Sequence, residues 1–355
     1  MTNCPADHLP QAESTILNPL ADAAWDREVT SHRGATIFHT AAWARVLSDT
    51  YGHQPYYMRF SMRGETFALV PMMEVRSFVT RSRGVCLPFS DCCAPLMSTS
   101  FGTGVVINRL RQVARERSWS YFELRDDSIL PENAVPSESY YGHALDMAVG
   151  SAALFENFSD SARRALRKAE RSGLRASVEH SAAAMTEFYA LHVRTRRKHG
   201  LPPQPRTFFS NIQKHIIDAG LGFIVLVAQG KRRIAAAVFF KLGLHGVYKF
   251  GASDERWQEL RPNNLAITQG INHLTTLSVK TLDFGRTEKT NEGLRRFKLS
   301  FGAREREISY GKFAVSTDSW VETPRHRSTL HNRFFRTLPA PMNRLAGVLL
   351  YPHLD

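Results

Sequence analysis

The sequence predicts an α/β (α+β) protein with mixed, mostly antiparallel sheets, built as two tandem units. Three observations lead there. Helical and strand periodicities alternate through the first half of the chain. The turn-rich stretch DSILPENAVPSES (127–139) then interrupts both. Beyond it the alternation restarts, with three consecutive strand-like runs over 222–253 joined by short glycine turns. The 355 residues exceed one ordinary core and suit two, and 43 % hydrophobic residues suffice to pack them.

Each element has a local reason. Residues 1–20 read as a flexible tail. In FHTAAWARVLSDTYG (38–52), Thr40 is the expected N-cap, Trp43, Val46 and Leu47 lie at helical spacing, and Gly52 is the stop. QPYYMRF (54–60) and TFALVPMMEVRSF (66–78) are expected strands around an Arg63-Gly64 turn. VVINRLRQVARERSW (105–119) is an expected helix and SYFELR (120–125) a strand. These make a first domain over 21–150.

The second domain, over 151–315, opens with a helix in SAALFENFSDSARRALRKAERSGL that ends at Gly173. A strand follows at 174–180 and a helix at 185–199, which the three prolines of 200–206 terminate. FFSNIQKHIIDAG is helical again. Next come the three strands of 222–253, a helix in NNLAITQGINHLTTLSV, and the strand KTLDFG. A strand, a sharp turn at Gly285 and a short helix bearing Leu294, Phe297 and Phe301 are expected at the end, with Arg295, Arg296 and Lys298 pointing elsewhere. This order is similar to an acyltransferase core of the GNAT (acyl-CoA N-acyltransferase) type, not to a doubly wound sheet. The chain therefore reads as two domains followed by a basic amphipathic segment over 316–355; the family resemblance given below implies that the two are tandem GNAT-like domains.

The formal net charge is +13. That favours polyanionic partners: nucleic acid, nucleotide or pyrophosphate carriers, or anionic lipid head groups. Between Ala162 and Lys198 there are ten Lys and Arg against three Asp and Glu, over half of the excess. Arg163, Arg167 and Arg171 recur every four residues, with Arg164 and Lys168 beside them; Ala162, Leu166 and Ala169 form the opposite stripe. Like charges at this spacing cost roughly tenths of a kcal/mol per pair, so a bound anion is the expected compensation: with TRRKHG (195–200) nearby, a phosphate-binding surface is expected, against the plainer reading of a solvated face.

Several functions are disfavoured. The N-terminus lacks the basic and apolar regions of a signal peptide, and no run of about 18 apolar residues predicts a spanning helix. A cytoplasmic protein with reduced thiols is expected: Cys4, Cys86, Cys92 and Cys93 include no CxxC, and zinc is disfavoured. LDFGRTEKTNEGLRRFKLSFG (282–302) holds an Asp-Phe-Gly, but no kinase glycine loop or P-loop accompanies it. Asp283 and Arg286 are expected at a strand's C-terminal end, where open sheets place ligands; Asp283 as a loop cap and solvated cations is the alternative. Arg261-Pro-Asn-Asn264-Leu-Ala266 occupies the place of a pyrophosphate-binding loop without its central glycine. In PFSDCCAPL (88–96), functional and structural readings of Asp91 balance, and His53 is expected to be structural. The C-terminus pairs Arg325, Arg327, Arg333, Arg336 and Arg344 with Phe334, Phe335, Leu345, Val348, Leu349 and Leu350. It either rests on an anionic membrane surface or, the preferred reading, packs back on the domain.

These residues carry a resemblance. DFGR (283–286) followed by RFKLSFG (296–302) resembles the closing motif of FemAB-like proteins. RRALRKAERSGL (163–174), TRRKHGLPPQPRTFF (195–209) and LPFSDCCAPL (87–96) resemble family segments too, and FHTAAWARVLSDTYGHQPYY (38–57) is similar to the family's N-terminal helix and strand. The likeness runs from about 36 to 350 and is nearest to the subgroup found with PEP-CTERM/exosortase and exopolysaccharide systems. It implies an active cleft in the second domain and at its border with the first. It implies transfer of an acyl or aminoacyl group onto an amine of a lipid- or sugar-linked cell-envelope precursor, with no bound cofactor or metal. The implied donor is anionic, aminoacyl-tRNA or acyl-CoA, and a peripheral site at the inner face of the membrane goes with it. The long coiled-coil arm of some Fem ligases is not evident in the sequence.

By this resemblance Lys298 holds the position of the family's Phe-Lys motif and stabilises negative charge on donor or leaving group. Asp283 and Arg286 orient that region. Asp91 is the expected base or amine binder, and Tyr248 a proton donor. Arg163, Arg164, Arg167 and Lys168 are expected to hold phosphates, with Arg261 and Asn264 at the donor loop. Two other classes remain: an acyl-CoA-dependent small-molecule acyltransferase, and a non-catalytic nucleic-acid binder, which no helix-turn-helix, zinc-finger or RNP motif supports.

Overall fold

A computed structural model describes residues 12–98, 102–132, 134–323 and 334–354. Cys4, Arg325, Arg327 and Arg333 lie outside the described residues. The first half contains strands β1 (Glu13–Leu17), β2 (Gln54–Pro55), β3 (Tyr57–Met62), β4 (Glu65–Val70), β5 (Met73–Val75), β6 (Arg83–Val85), β7 (Leu96–Met97), β8 (Tyr121–Leu124) and β9 (Glu138–Asp146). Helices α1 (Trp25–Ser31), α2 (Ala41–Tyr51) and α3 (Thr103–Glu116) accompany them. The second half follows as α4 (Ser151–Glu156), α5 (Asp160–Arg171), β10 (Arg175–Glu179), α6 (Ala182–Lys198), α7 (Arg206–Ile212), β11 (Gly222–Gln229), β12 (Arg232–Leu242) and β13 (His245–Ser253). It closes with α8 (Pro262–Thr276), β14 (Thr281–Glu288), α9 (Glu292–Leu299), β15 (Arg304–Ala314), β16 (Ser319–Trp320) and α10 (Ala340–Leu350).

The strands β1-β3-β4-β7 make one antiparallel sheet. The rest join in one long sheet of order β10-β11-β12-β13-β14-β9-β15-β8-β6-β5-β2, with β16 on β15. Only two of its pairs are parallel: β6 with β8, and β13 with β14. Each spans a helical crossover, α3 in the first half and α8 in the second, so the two halves repeat one motif. They are fused through β15. Its Arg304–Tyr310 portion pairs with β9, and its Gly311–Ala314 portion with β8.

Side-chain alternation sorts the core. In β11, Ile224 and Leu226 face one cluster, which also holds the first half's core, α6 and α7. Phe223, Val225 and Val227 face the other, beneath α5 and α8. A strand buried on both faces explains the unbroken run GFIVLV.

Local departures from expectation have physical causes. Residues 13–17, expected as tail, form an edge strand because their backbone pairs with Tyr57–Ser61. The expected long helix over 151–173 is two helices. Ser159 breaks it by capping α5, accepting a hydrogen bond from the Ala162 N–H. On the closing segment the expected facing holds for Phe301, which is fully buried, and for Phe297, which packs against the core, but Leu294 is 36 % exposed and Lys298 is buried instead of pointing to solvent.

Candidate active site

Two β-bulges set the geometry. In β13, Val238 pairs with Phe250 and Phe239 with Tyr248, which leaves Lys249 as the extra residue. The bulge sends neighbouring side chains to opposite surroundings. Tyr248 packs on Phe239 and Phe284, at ring distances of 5.4 and 6.1 Å. The Lys249 ammonium lies over the Phe38 and Phe250 rings and donates to Asp91 Oδ2 at 2.8 Å. Lys249 was not singled out by the sequence; its only signal was its place beside a tyrosine that was.

In β14, Asp283 pairs with Ala144 and Arg286 with Gly142, so Phe284 and Gly285 together face one residue. The Asp-Phe-Gly triplet is therefore a bulge inside a strand. Asp283 and Arg286 do not sit at a strand end as expected, because pairing with β9 resumes and runs on to Glu288. Gly285 supplies the required φ of +72°. Its N–H donates to Asp283 Oδ1 at 2.6 Å. The bulge turns two carbonyls, Gly285 and Arg286, toward α9, where the Lys298 ammonium donates to them at 2.8 and 3.0 Å.

The parallel pairing of β13 and β14 covers three residues, His245–Val247 against Thr281–Asp283, and both strands run on beyond it unpaired with each other. Asp91 enters this opening from the first half. A Cβ on Gly285 would meet its Oδ2 at 2.9 Å, so the carboxylate rests directly on the bulge. The loop carrying Asp91 is strained and clamped: Leu87 and Phe89 adopt φ of 54° and 59°. Arg125 donates to the Ser90 carbonyl at 3.0 Å, and the Tyr310 hydroxyl donates to the Asp91 carbonyl at 2.5 Å. Arg286 fixes Tyr310, donating to its hydroxyl at 2.9 Å while stacked over Tyr140 at 4.4 Å.

The electrostatics follow from this crowding. Burial works to raise the Asp91 carboxyl, but Lys249, Arg286 and Lys298 outweigh it and hold it below the usual range. Asp283 moves the other way: burial and the neighbouring Asp91 raise it above the usual range. Lys298 is pulled down to about 8 by burial, with Asp91 and Asp283 opposing the fall. Burial pushes Tyr248 up to about 12. Beside the cluster, the Cys92 thiol contacts Asp126 at 3.2 Å and Arg306 at 3.4 Å, and burial raises it.

At the end of β13 a cavity of about 720 Å³ opens, lined by Arg194, Arg197, Lys198, Arg256 and Arg336 together with Asp254 and Glu255. Buried Asp254 organises it, accepting from Arg194 at 3.0 Å and from Arg256 at 2.9 and 2.5 Å. Five cations against two carboxylates make it an anion pocket. Its wall residue Ser253 lies four positions beyond Lys249, roughly 13 Å along a strand.

The structure thus brings Lys298, Asp283, Asp91 and Arg286 together. Tyr248 is turned away among aromatic rings by the bulge. On α5, Arg163 bonds the Glu156 carbonyl and Asp160 at its own end of the helix, and Arg164, Arg167 and Lys168 are exposed. None of the four lines the anion pocket, whose cations are Arg194, Arg197 and Lys198 from the end of α6 and two later arginines, Arg256 and Arg336. Arg261 is exposed and takes φ of 60° ahead of α8, the conformation a glycine usually supplies; its carbonyl accepts from the Asn264 N–H at 3.2 Å. His53 is buried, its ring parallel to Phe89.

Comparison with known proteins agrees with the fold. Residues 156–299 match the family described as an acetyltransferase (GNAT) domain. The crystal structure of FemX superposes with a TM-score of 0.65 at 14 % identity, covering 84 % of this chain and 96 % of that one. The tandem GNAT protein from the clavulanic acid biosynthesis pathway gives 0.52 at 9 % identity, covering 86 % and 99 %. The C-terminal domain of a putative lysylphosphatidylglycerol synthetase from Agrobacterium fabrum gives 0.52 at 12 % identity, covering 80 % and 91 %. No curated protein matches the sequence significantly. Residues 156–299, in the second half of the chain, thus carry the match to a GNAT acetyltransferase domain. The chain's double-domain fold is similar to those of FemX and the tandem GNAT protein.

Proposed function

We propose that the protein transfers an acyl or aminoacyl group from an anionic carrier to an amine of a lipid- or sugar-linked cell-envelope precursor. The observation that carries this reading is the buried Lys298 ammonium, fixed on the bulge carbonyls and facing Asp91 and Asp283 in the opening between β13 and β14. The likeness in fold to FemX and to a putative lysylphosphatidylglycerol synthetase supports the envelope direction.

The chemistry is acyl transfer. The acceptor amine attacks the ester or thioester carbonyl, forming a C–N bond and an oxyanion. Collapse breaks the bond to the carrier, which leaves as alkoxide or thiolate. Asp283, with a raised pKa and one oxygen outside its bond to Gly285, takes the proton from the attacking nitrogen. Lys298 has three N–H donors and uses two on backbone carbonyls; the third faces the leaving group and protonates it. Asp91, paired with Lys249, stays ionised and orients the acceptor amine. The anion pocket holds the carrier's phosphates.

The acetyltransferase family match favours a second reading, with acyl-CoA as donor to a small molecule. Offering the enzyme acetyl-CoA and aminoacyl-tRNA separately, with an amine-bearing lipid-linked peptidoglycan precursor, separates the two. Mass spectrometry of the products should detect an amide on the lipid-linked acceptor. Transfer from acetyl-CoA to soluble amines alone would establish the second reading, and no transfer from either donor would reject both.

A further inference from the structure

Helix α10 is amphipathic in the wrong sense for a surface helix. Such helices ordinarily turn their apolar stripe inward. Here the inward face is small and polar. Asn343 is fully buried and donates to the Leu201 carbonyl, and Gly347 lies so close to Pro203 that a Cβ would stand 2.0 Å from its carbonyl oxygen. Just beyond, the Tyr351 hydroxyl accepts from Arg196 at 2.8 Å. The outward face is apolar: Met342, Leu345, Val348 and Leu349 are 50–61 % exposed. Phe334 ahead of the helix is 58 % exposed. At the far end the Phe78 ring stands 4.6 Å from His353 and is itself 91 % exposed, with Val79 beside it. The helix therefore packs back on the domain and still presents a ridge to something apolar.

We propose that this ridge is a docking surface for a bilayer containing anionic lipid. Charge selects the occupant. Residues 334–354 contain Arg336 and Arg344 and no carboxylate side chain, and the Phe78 loop adds exposed Arg81 and Arg76, the latter paired with buried Glu74. A second copy docked on the same face would set the arginines of one α10 against those of the other, with no acid on either helix to meet them. An anionic headgroup layer meets the arginines while its acyl region takes the leucines. Because Arg336 also lines the anion pocket, the docked protein places that pocket beside the headgroups. The proposal stands apart from the choice of donor and acceptor.

The test is flotation of the full-length protein with phosphatidylcholine vesicles, with and without phosphatidylglycerol, compared with the double variant Leu345→Gln, Leu349→Gln. Both leucines are exposed, so an unchanged melting temperature confirms folding. The expected result is flotation with the anionic vesicles only, weakened by salt, and reduced roughly tenfold or more in the variant. Leu349→Trp should blue-shift in emission on adding the same vesicles. Three results would overturn the proposal: no flotation of the parent protein, equal flotation of the double variant, or a dimer in solution that the variant abolishes without vesicle binding.

Discussion

Lys249 and Asp91 meet at 2.8 Å, one from the central strand of the second half and the other from a strained loop of the first. The pair is largely buried, with side-chain exposures of 6 % and 24 %. It ties the two halves together where the sheet opens, and it keeps a carboxylate ionised beside Lys298.

Breaking that pair from one side strands a charge. Asp91→Asn should cost about 3 kcal/mol in stability, since the Lys249 ammonium loses its partner in a low-dielectric site. Lys249→Met should cost less, because the methionine fills the space over Phe38 and Phe250. Denaturant melts of both single variants and the double variant should give a coupling of about 1–3 kcal/mol. Additive losses would mean the contact does not hold the halves together.

Gly285→Ala combines strain with a clash. A side chain at φ +72° is disfavoured, and its Cβ would sit 2.9 Å from the Asp91 carboxylate. We expect a loss of about 1–3 kcal/mol in stability. Transfer activity should fall further than stability accounts for, since the carbonyls that hold Lys298 belong to this bulge. Differential scanning calorimetry beside single-turnover rates separates the two effects.

Arg197 lines the anion pocket and lies away from the lysine cluster. Arg197→Ala should raise the donor KM about tenfold and leave kcat nearly unchanged, the pattern of lost uniform binding. Its KM should also vary less with salt than the parent's. A kcat effect of equal size would mean that the pocket takes part in the chemical step.

The pH profile follows from two shifted groups. Asp283 must be ionised to accept a proton, and its pKa is raised, so activity should climb through a pH above the ordinary carboxylate range. Lys298 must be protonated to donate, and its pKa is lowered to about 8, so activity should fall as pH rises through about 8. Lys298→Arg, which does not titrate in this range, should remove the alkaline fall. An unchanged alkaline limb in that variant assigns it to another group.

The helices and strands of the second half were legible because their periods are regular, the short helix of the closing segment among them. Tyr248 and Lys249 mark the limit. Which of two adjacent side chains enters a site depends on one extra residue in a ladder, and nothing in GLHGVYKFGAS announces that bulge. The Asp-Phe-Gly read as a turn for the same reason: its glycine signals positive φ, but only pairing with a strand some 140 positions earlier reveals that the strand continues. The arginine stripe of α5 was legible as an exposed cationic face. The cations of TRRKHG (195–200) were legible too, but not the pocket that Arg197 and Lys198 line, because Asp254 gathers Arg194 and Arg256 from elements 60 residues apart.

The central claim is that Lys298 acts on the reacting atoms. Lys298→Ala, with folding verified by circular dichroism and melting temperature, should lower single-turnover transfer by roughly 10² or more while donor affinity stays near the parent's. A folded variant that turns over at the parental rate would contradict the account.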